Sequence, residues 1–313
     1  MLKKFSFLLL FFIECSLLTF SQQVKVDSTG GYFFDKNNVV YKHPSTANPN
    51  LIDYELLMKA NTVEEFTSPV RWKGADWAKV AGFILVETSV AAFADKHAEN
   101  YILQLRNNWT LNNITNQIDK YKITRQACFL AVVGSSSFLF HDKKLRNTTV
   151  LAAQAFLIGG GTALLLNFLT GRNGPLVYDP NTYRHEVGFR GPFTAKPADL
   201  YGHKYYSSFP SVNSTVSFAI ATVFANDYQD KKFIPILAYG AASVISINDL
   251  LTNKHWVSDI LAGQILGYFT GKLVVRNARK FFLFKSLLKT KPNVQAQMSY
   301  SFGRLRPGLT YTF

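Results

Sequence analysis

A histidine and an aspartate four residues apart are the pair in this sequence best suited to chemistry. They are His255 and Asp259, within the stretch NKHWVSDILAGQILG at 253–267. At this spacing two side chains share one face of a helix, so the carboxylate can hold one ring nitrogen and leave the other outward, basic and in a fixed tautomer. A surface ion pair at a helix start has the same spacing. The apolar, small-residue helix that follows favours a functional pair at the mouth of a bundle.

A second stretch, SFPSVNSTVSF at 208–218, opens an apolar run with a proline and several capping residues. Pro210 has a φ angle suited to the start of a helix, and Ser211 and Asn213 can satisfy free backbone N–H groups there. The local pattern predicts a capped helix start. Residues 170–211 are predicted to form a long polar loop between two apolar stretches. Loops of this length in helical domains are usually functional.

Taken in order, three stretches resemble the motifs of the type 2 phosphatidic acid phosphatase and vanadium haloperoxidase superfamily. They are NFLTGRNGP at 167–175, FPSVN at 209–213 and NDLLTNKHWVSD at 248–259. They fall at the end of one apolar helix, the start of the next and the start of the last, as the motifs of that family do. The resemblance covers about residues 125–275 and implies an all-α, membrane-embedded bundle of about five to six apolar helices.

The resemblance also implies roles for individual residues. The family's third-motif histidine is a nucleophile that forms a phosphohistidine, and its aspartate orients the ring; His255 and Asp259 match both. The family's acid histidine is matched by Asn213. The positions of its phosphate-binding lysine and two arginines are matched by Asn167, Gly174 and Asp249.

Two function classes follow from this pattern. The first is an envelope hydrolase acting on lipid phosphates or pyrophosphates, with His255 as nucleophile and Arg172, Ser211 and Asn213 as substrate contacts. The second is a pseudophosphatase that keeps the bundle to bind a lipid or a protein. General acid catalysis contributes about 10²- to 10⁴-fold, and phosphoryl transfer relies on clustered cations, so the substitutions favour weak or lost activity. We expect no metal and no cofactor, because the family hydrolyses without one.

The composition is typical of a protein that places part of its surface in a membrane; the lipid or lipid phosphate partner is what the resemblance implies. Apolar residues make up 48% and charged residues 17% of the 313 positions, below the roughly 25% charge of soluble domains. The formal net charge is +14. The basic residues lie in short clusters at the ends of apolar stretches, which is typical of cytoplasmic flanks and argues against a nucleic-acid partner. Those clusters are Lys143, Lys144 and Arg146; Lys231 and Lys232; and Arg276, Arg279 and Lys280.

The expected organisation has four parts. Residues 1–21 form a secretory signal peptide, with a basic start, an apolar stretch and small residues near its end. Residues 22–75 form an exported polar leader, 76–285 the helical domain, and 286–313 a tail with alternating aromatic residues that predicts a hairpin. The cytoplasmic clusters place the 170–211 loop, and with it the site, on the periplasmic side of a bacterial inner membrane. If every apolar stretch after a cleaved signal peptide crossed the membrane, the 170–211 loop would lie in the cytoplasm. Residues 77–95 are therefore expected to pack on the bundle without crossing.

Overall fold

The structure is a computed structural model in which the described α-helices lie in two segments, 49–175 and 208–289. The described residues are 32–34, 40–42, 49–175, 178–179, 184–185, 188–192, 208–289, 294–301 and 304–311. The predicted signal peptide and most of the first half of the predicted leader lie outside them.

The described part of the chain is mainly α-helical, as expected. Its helices are α1 (Leu51–Thr67), α2 (Gly74–Phe93), α3 (Asp95–Arg106), α4 (Trp109–Asp119), α5 (Lys122–Leu139), α6 (Lys143–Thr170), α7 (Val212–Asp227), α8 (Phe233–Leu251) and α9 (Val257–Lys289). A 3₁₀ turn, Ser68–Arg71, joins α1 to the residues before α2.

Three short antiparallel strand pairs accompany the helices. Two are small: β1 (Tyr32–Phe34) with β2 (Val40–Lys42), and β3 (Tyr178–Asp179) with β4 (Arg184–His185). The third joins β5 (Val294–Ser301) to β6 (Arg304–Tyr311), with Val294 opposite Tyr311 and Ser301 opposite Arg304. This register confirms the hairpin predicted in the C-terminal tail.

Helix α7 lies at the centre of the bundle, packed against α6, α8 and α9. It is buried along almost its whole length, because small and β-branched side chains let the neighbouring helices approach closely. On α9 the approach is made by glycines at four-residue intervals. A Cβ at Gly263 would lie 2.6 Å from the Ser211 carbonyl oxygen, and one at Gly271 would lie 2.7 Å from that of Ala219. At Gly267 a Cβ would overlap the backbone oxygen of Thr215.

Helix packing at Gly267 yields a stability prediction. Gly267→Ala is expected to lower the free energy of unfolding by about 1–3 kcal/mol, because the methyl group meets rigid backbone and forces α7 and α9 apart. Gly161→Ala is the matched control, since nothing lies within 4 Å of a Cβ there and alanine is favoured in a helix by about 1 kcal/mol. Thermal unfolding in detergent compares the two; equal midpoints would contradict the packing described.

Two helices are long and apolar enough to cross a membrane alone, α6 and α8. Helices α2 and α3 pass the same test only when counted together as one span bent by 49°. Apolar side chains on α2 point outward, among them Trp77, Leu85 and Phe93. The described residues therefore offer two or three candidate spans, and the prediction that 77–95 does not cross stays a prediction.

Helix α1 packs on the bundle through polar side chains. Asn61 is fully buried and donates to the Gln154 side chain on α6 at 3.0 Å, while Asn277 on α9 donates to Asn61 at 2.9 Å. The Tyr54 hydroxyl donates to Asn147 near the start of α6 at 2.8 Å. Helix α1 thus packs on α6 and α9, and the boundary at residue 75 stays a prediction.

Candidate functional site

Four helix ends meet at one end of the bundle, and the residues singled out from the sequence lie there. They follow the C-terminus of α6, open α7, close α8 and open α9. The Ser211 backbone N–H donates to the Asp259 carbonyl at 2.9 Å, which ties the start of α7 to the first turn of α9. The three motif stretches are therefore brought together, as their order along the chain predicts.

The imidazole of His255 is held by a backbone carbonyl. Its Nδ1 lies 2.9 Å from the Ser208 carbonyl oxygen, and because a carbonyl only accepts, Nδ1 must carry the proton. In the neutral ring this tautomer has the lone pair on Nε2, the form that a nucleophile needs. The carboxylate of Asp259 is 4.0 Å from Nδ1, so Ser208, and not the expected aspartate, makes the hydrogen bond that orients the ring.

Asp259 is occupied by two other partners. Its Oδ2 accepts from the Trp256 backbone N–H at 2.8 Å, the arrangement by which an acid in the first turn caps a helix. Its Oδ1 accepts from Arg172 Nη1 at 2.5 Å. The side chain is fully buried, and it links α9 to the loop after α6.

Arg172 is enclosed by carboxylates and aromatic rings. Besides Asp259 it donates to Asp95 at 2.8 Å and to the Ser258 hydroxyl at 2.7 Å, and it is 2% exposed. The guanidinium also lies 5.2 Å from the ring centre of Phe189. With both terminal nitrogens engaged by the protein, the charge predicted to anchor a phosphate is already balanced by two carboxylates.

Asp95 is a site residue that the sequence analysis missed. It is the first residue of α3 and is 2% exposed. One carboxylate oxygen accepts from the Ser258 backbone N–H at 3.0 Å, and the other from the Ser258 hydroxyl at 2.6 Å. A single acid at the break between an apolar and a polar helix was the available signal, because such a charge is costly near a membrane without a partner.

Two residues that replace functional side chains of the family, Asn213 in place of the acid histidine and Asp249 in place of one arginine, are hydrogen-bonded to each other. Asn213 Nδ2 donates to Asp249 Oδ1 at 3.0 Å, and the Ser211 hydroxyl donates to Asp249 Oδ2 at 3.0 Å. Asp249 is 1% and Asn213 7% exposed. Ser211 also caps α7 by accepting from the Ser214 backbone N–H at 3.3 Å, which confirms the predicted cap.

The other two substituted positions serve the packing of loops. Asn167 donates to the Pro210 carbonyl at 2.7 Å and so holds the end of α6 against the turn before α7. At Gly174 a Cβ would lie 2.5 Å from the Lys254 carbonyl oxygen and 3.5 Å from the Ser208 Cβ. The backbone at 174 therefore leaves no room for the arginine that the family carries.

The loop before His255 is bonded to side chains at the ends of α3 and α4. Lys254 pairs with Asp119 at the end of α4, and Arg106 at the end of α3 donates to the Thr252 carbonyl. Among the described residues, the loop between α8 and α9 is thus held in place by helices that precede the three motifs in the chain.

The described residues form a helical bundle with two or three candidate membrane spans, and the motif residues meet at one end of it. Residues 143–282 match the model of the PAP2 superfamily, and this segment of the chain belongs to that superfamily. The match includes α6 to α9 up to residue 282 and therefore all the motif positions.

Two known proteins were found to be similar. Lipid A 1-phosphatase of Porphyromonas gingivalis is 34% identical over 68 residues, which cover 21% of this chain and 15% of that protein. The crystal structure of a transmembrane PAP2 type phosphatidylglycerolphosphate phosphatase from Bacillus subtilis superposes with a TM-score of 0.43 and 17% identity, covering 64% of this chain and 94% of that one. That structural similarity is too weak to add to the assignment, which rests on sequence.

Proposed function

We propose that this chain is a membrane protein of the PAP2 superfamily that binds a lipid head group and has lost efficient phosphate hydrolysis. The observation that carries the proposal is the buried carboxylate of Asp249, bonded to Ser211 and Asn213 where the family places an arginine and an acid histidine. A negative charge at this point repels a phosphate ester. An amide at 213 can donate a hydrogen bond, but it cannot protonate a leaving group.

The balance of charge around His255 supports the same conclusion. Arg172 is paired with Asp95 and Asp259, so its guanidinium is already engaged by two acids of the protein. Lys254 is paired with Asp119. Phosphoryl transfer needs uncompensated cations to stabilise charge on the equatorial oxygens, and these pairs do not supply one.

A second candidate function, slow hydrolysis of lipid phosphates, is favoured by the geometry of His255. Its Nδ1 donates to Ser208 and its side chain is 19% exposed, so Nε2 is available as a nucleophile. In that case Asn213 and the backbone N–H groups at the start of α7 would be the remaining substrate contacts. Without an acid group, we expect the rate to fall by at least about 10²- to 10⁴-fold below that of an enzyme with all motifs.

Steady-state phosphate release by the purified full chain separates the two candidates. Phosphatidic acid and undecaprenyl pyrophosphate are the substrates, and His255→Ala is the control. The proposal expects release at the background rate from both proteins. Release that His255→Ala abolishes would overturn it in favour of the phosphatase.

The site and the basic clusters occupy opposite ends of the bundle, which bears on orientation. Lys144 near the start of α6 lies 3.5 Å from Asp230 in the turn before α8, and Arg279 donates to the Asn226 carbonyl at 2.7 Å. Helix α6 has 28 residues, a length of about 42 Å, so Arg172 after its last turn is a membrane thickness away. By the positive-inside rule, we propose a bacterial inner-membrane protein with its site facing the periplasm.

This orientation predicts which side of the membrane α1 occupies. Lys285 pairs with Asp53, and Arg276 lies 2.8 Å from Glu64, so α1 contacts the basic end of the bundle. This contact favours a cytoplasmic α1 over the exported leader expected from the sequence. We propose that α1 is cytoplasmic and that α2 with α3 crosses the membrane.

Cysteine labelling in intact cells measures the side on which α1 lies. In a Cys15→Ser, Cys128→Ser background, Glu55→Cys is expected to be protected from a membrane-impermeant maleimide until the cells are opened. A reporter fused after Lys232 should likewise read cytoplasmic. Labelling of residue 55 in intact cells, together with a cytoplasmic reporter, would contradict the proposed crossing.

A further inference from the structure

The group formed by Asp249, Asn213 and Ser211 contains more hydrogen-bond acceptors than donors. Each oxygen of Asp249 accepts one bond, whereas an ionised carboxylate has about four acceptor positions. The Oδ1 atom of Asn213 is buried and has no hydrogen-bond partner among the described residues. Ser211 Oγ donates its one proton to Asp249, and Asn213 Nδ2 donates one of its two N–H groups to the same carboxylate.

The described structure also offers this carboxylate no fixed positive partner. His255 and Asp119 are the titratable groups whose charges act on Asp249, and His255 is positive only when protonated. Arg172 and Lys254 are paired with other acids. Among the described residues, each oxygen of the Asp249 carboxylate has one donor and the Asn213 amide oxygen has none. Burying acceptors with too few donors is costly, so the arrangement favours a ligand that brings both N–H donors and positive charge.

A primary ammonium group has these properties, since it carries three donors, no acceptor and one positive charge. A phosphate is its chemical opposite, a multiply charged acceptor. We propose that Asp249 and Asn213 form a site for the primary ammonium group of an amine-bearing lipid head group such as that of phosphatidylethanolamine. This inference rests on the proposed function, because it names the head group that a site without phosphate cations would bind.

The location of the group favours a lipid as the source of the amine. Ser211 and Asn213 open α7 at the same end of the bundle as the partly exposed His255. Apolar side chains on the outer surface of α6, including Leu164, Leu165 and Phe168, approach this end. A head group entering from the surrounding lipid would keep its acyl chains against such a surface, which a soluble amine cannot do.

Native mass spectrometry of the full chain in detergent tests the assignment. The protein is titrated with phosphatidylethanolamine, phosphatidylcholine or phosphatidic acid of identical acyl chains. Phosphatidylcholine has a quaternary ammonium without N–H donors, so it separates hydrogen bonding from charge. We expect phosphatidylethanolamine to bind at least tenfold more tightly than either of the other lipids. Equal affinities, or preference for phosphatidic acid, would overturn the proposal.

Variants assign the preference to this group of residues. Asp249→Asn keeps the shape but removes the charge, and it is expected to reduce the preference to less than twofold. Glu55→Gln, which removes an exposed carboxylate on α1, should leave the preference intact. A preference that persists in a folded Asp249→Asn protein would place the amine elsewhere and overturn the assignment.

Competition with soluble cations distinguishes recognition of an ammonium group from binding of any monovalent cation. Ethanolamine and potassium chloride are added at equal ionic strength to the phosphatidylethanolamine complex. Displacement by ethanolamine alone supports ammonium recognition, whereas equal displacement by potassium chloride would overturn it in favour of a simple cation site. Phosphate release is measured on the same samples. Hydrolysis with a retained amine preference would contradict only the proposed loss of activity.

Discussion

Replacing Arg172 by methionine is expected to lower the free energy of unfolding by about 3–5 kcal/mol. The guanidinium is 2% exposed and bonds to Asp95, Asp259 and Ser258. Methionine fills a similar volume but leaves two buried carboxylates without a counter-charge, and removing one partner of a buried ion pair costs this much in other proteins. Unfolding of the purified protein in detergent, followed by circular dichroism, measures the loss.

Arg276→Met is the matched control, because it removes an arginine that pairs with a carboxylate near the surface. Arg276 lies 2.8 Å from Glu64 and its side chain is 53% exposed. Exposed pairs of this kind contribute about 0–1 kcal/mol. If Arg172→Met costs no more than Arg276→Met, Arg172 is not the structural centre that its contacts indicate. The role of a phosphate anchor, predicted from sequence, would then regain support.

The double variant Asn213→His, Asp249→Arg is expected to raise phosphate release from phosphatidic acid by at least about 100-fold over the unmodified protein. The change replaces an amide by a general acid and a repelling carboxylate by a cation. Because the two residues are bonded directly, both must change together for either to face a substrate. Phosphate release is measured under the same conditions for both proteins.

Two further variants make this gain interpretable. Asn213→His alone should stay inactive, because the new imidazole would pair with Asp249 and the phosphate would still be repelled. Adding His255→Ala to the double variant should abolish whatever has been gained. A double variant that folds, retains its thermal midpoint and shows no gain would contradict the assignment of the defect to positions 213 and 249.

The helical bundle and the location of the site were predictable because helices and their ends leave local signals. The apolar runs of α6 and α8 and the capping residue Ser211 are visible in a single sequence. The alternation in the tail likewise predicted the β5–β6 pair. Motif order then placed Arg172 and His255 at helix ends that meet.

The partners of the site residues were not predictable, because they come from distant parts of the chain. Asp95 precedes Arg172 by 77 positions, and its role depends on how α3 packs on the start of α9. The spacing of His255 and Asp259 predicted a direct hydrogen bond between them. Instead, the Asp259 carboxylate accepts from Arg172 and from the Trp256 backbone N–H. The His255 ring is bonded to the Ser208 carbonyl. Tertiary packing determines which acceptor a donor bonds to, and this cannot be predicted from the spacing of residues along a helix.

The steric role of Gly174 was equally hidden. From the sequence it appears as a lost arginine, and only the adjacent Lys254 carbonyl explains why a glycine is needed. Asn167 is similar, since its bond to the Pro210 carbonyl makes it part of the packing of a loop. Both positions are better described as altered structure than as missing side chains, because their roles depend on contacts with distant parts of the chain.

A single-turnover assay tests the central claim, that the Asp249–Asn213 pair has replaced the phosphate site, most directly. The full chain is mixed in molar excess with ³²P-labelled phosphatidic acid and sampled over hours, with His255→Ala alongside. We predict no phosphate release above that of His255→Ala and no acid-labile phosphoprotein. Phosphate release, or a labelled protein, that disappears in His255→Ala would contradict the claim.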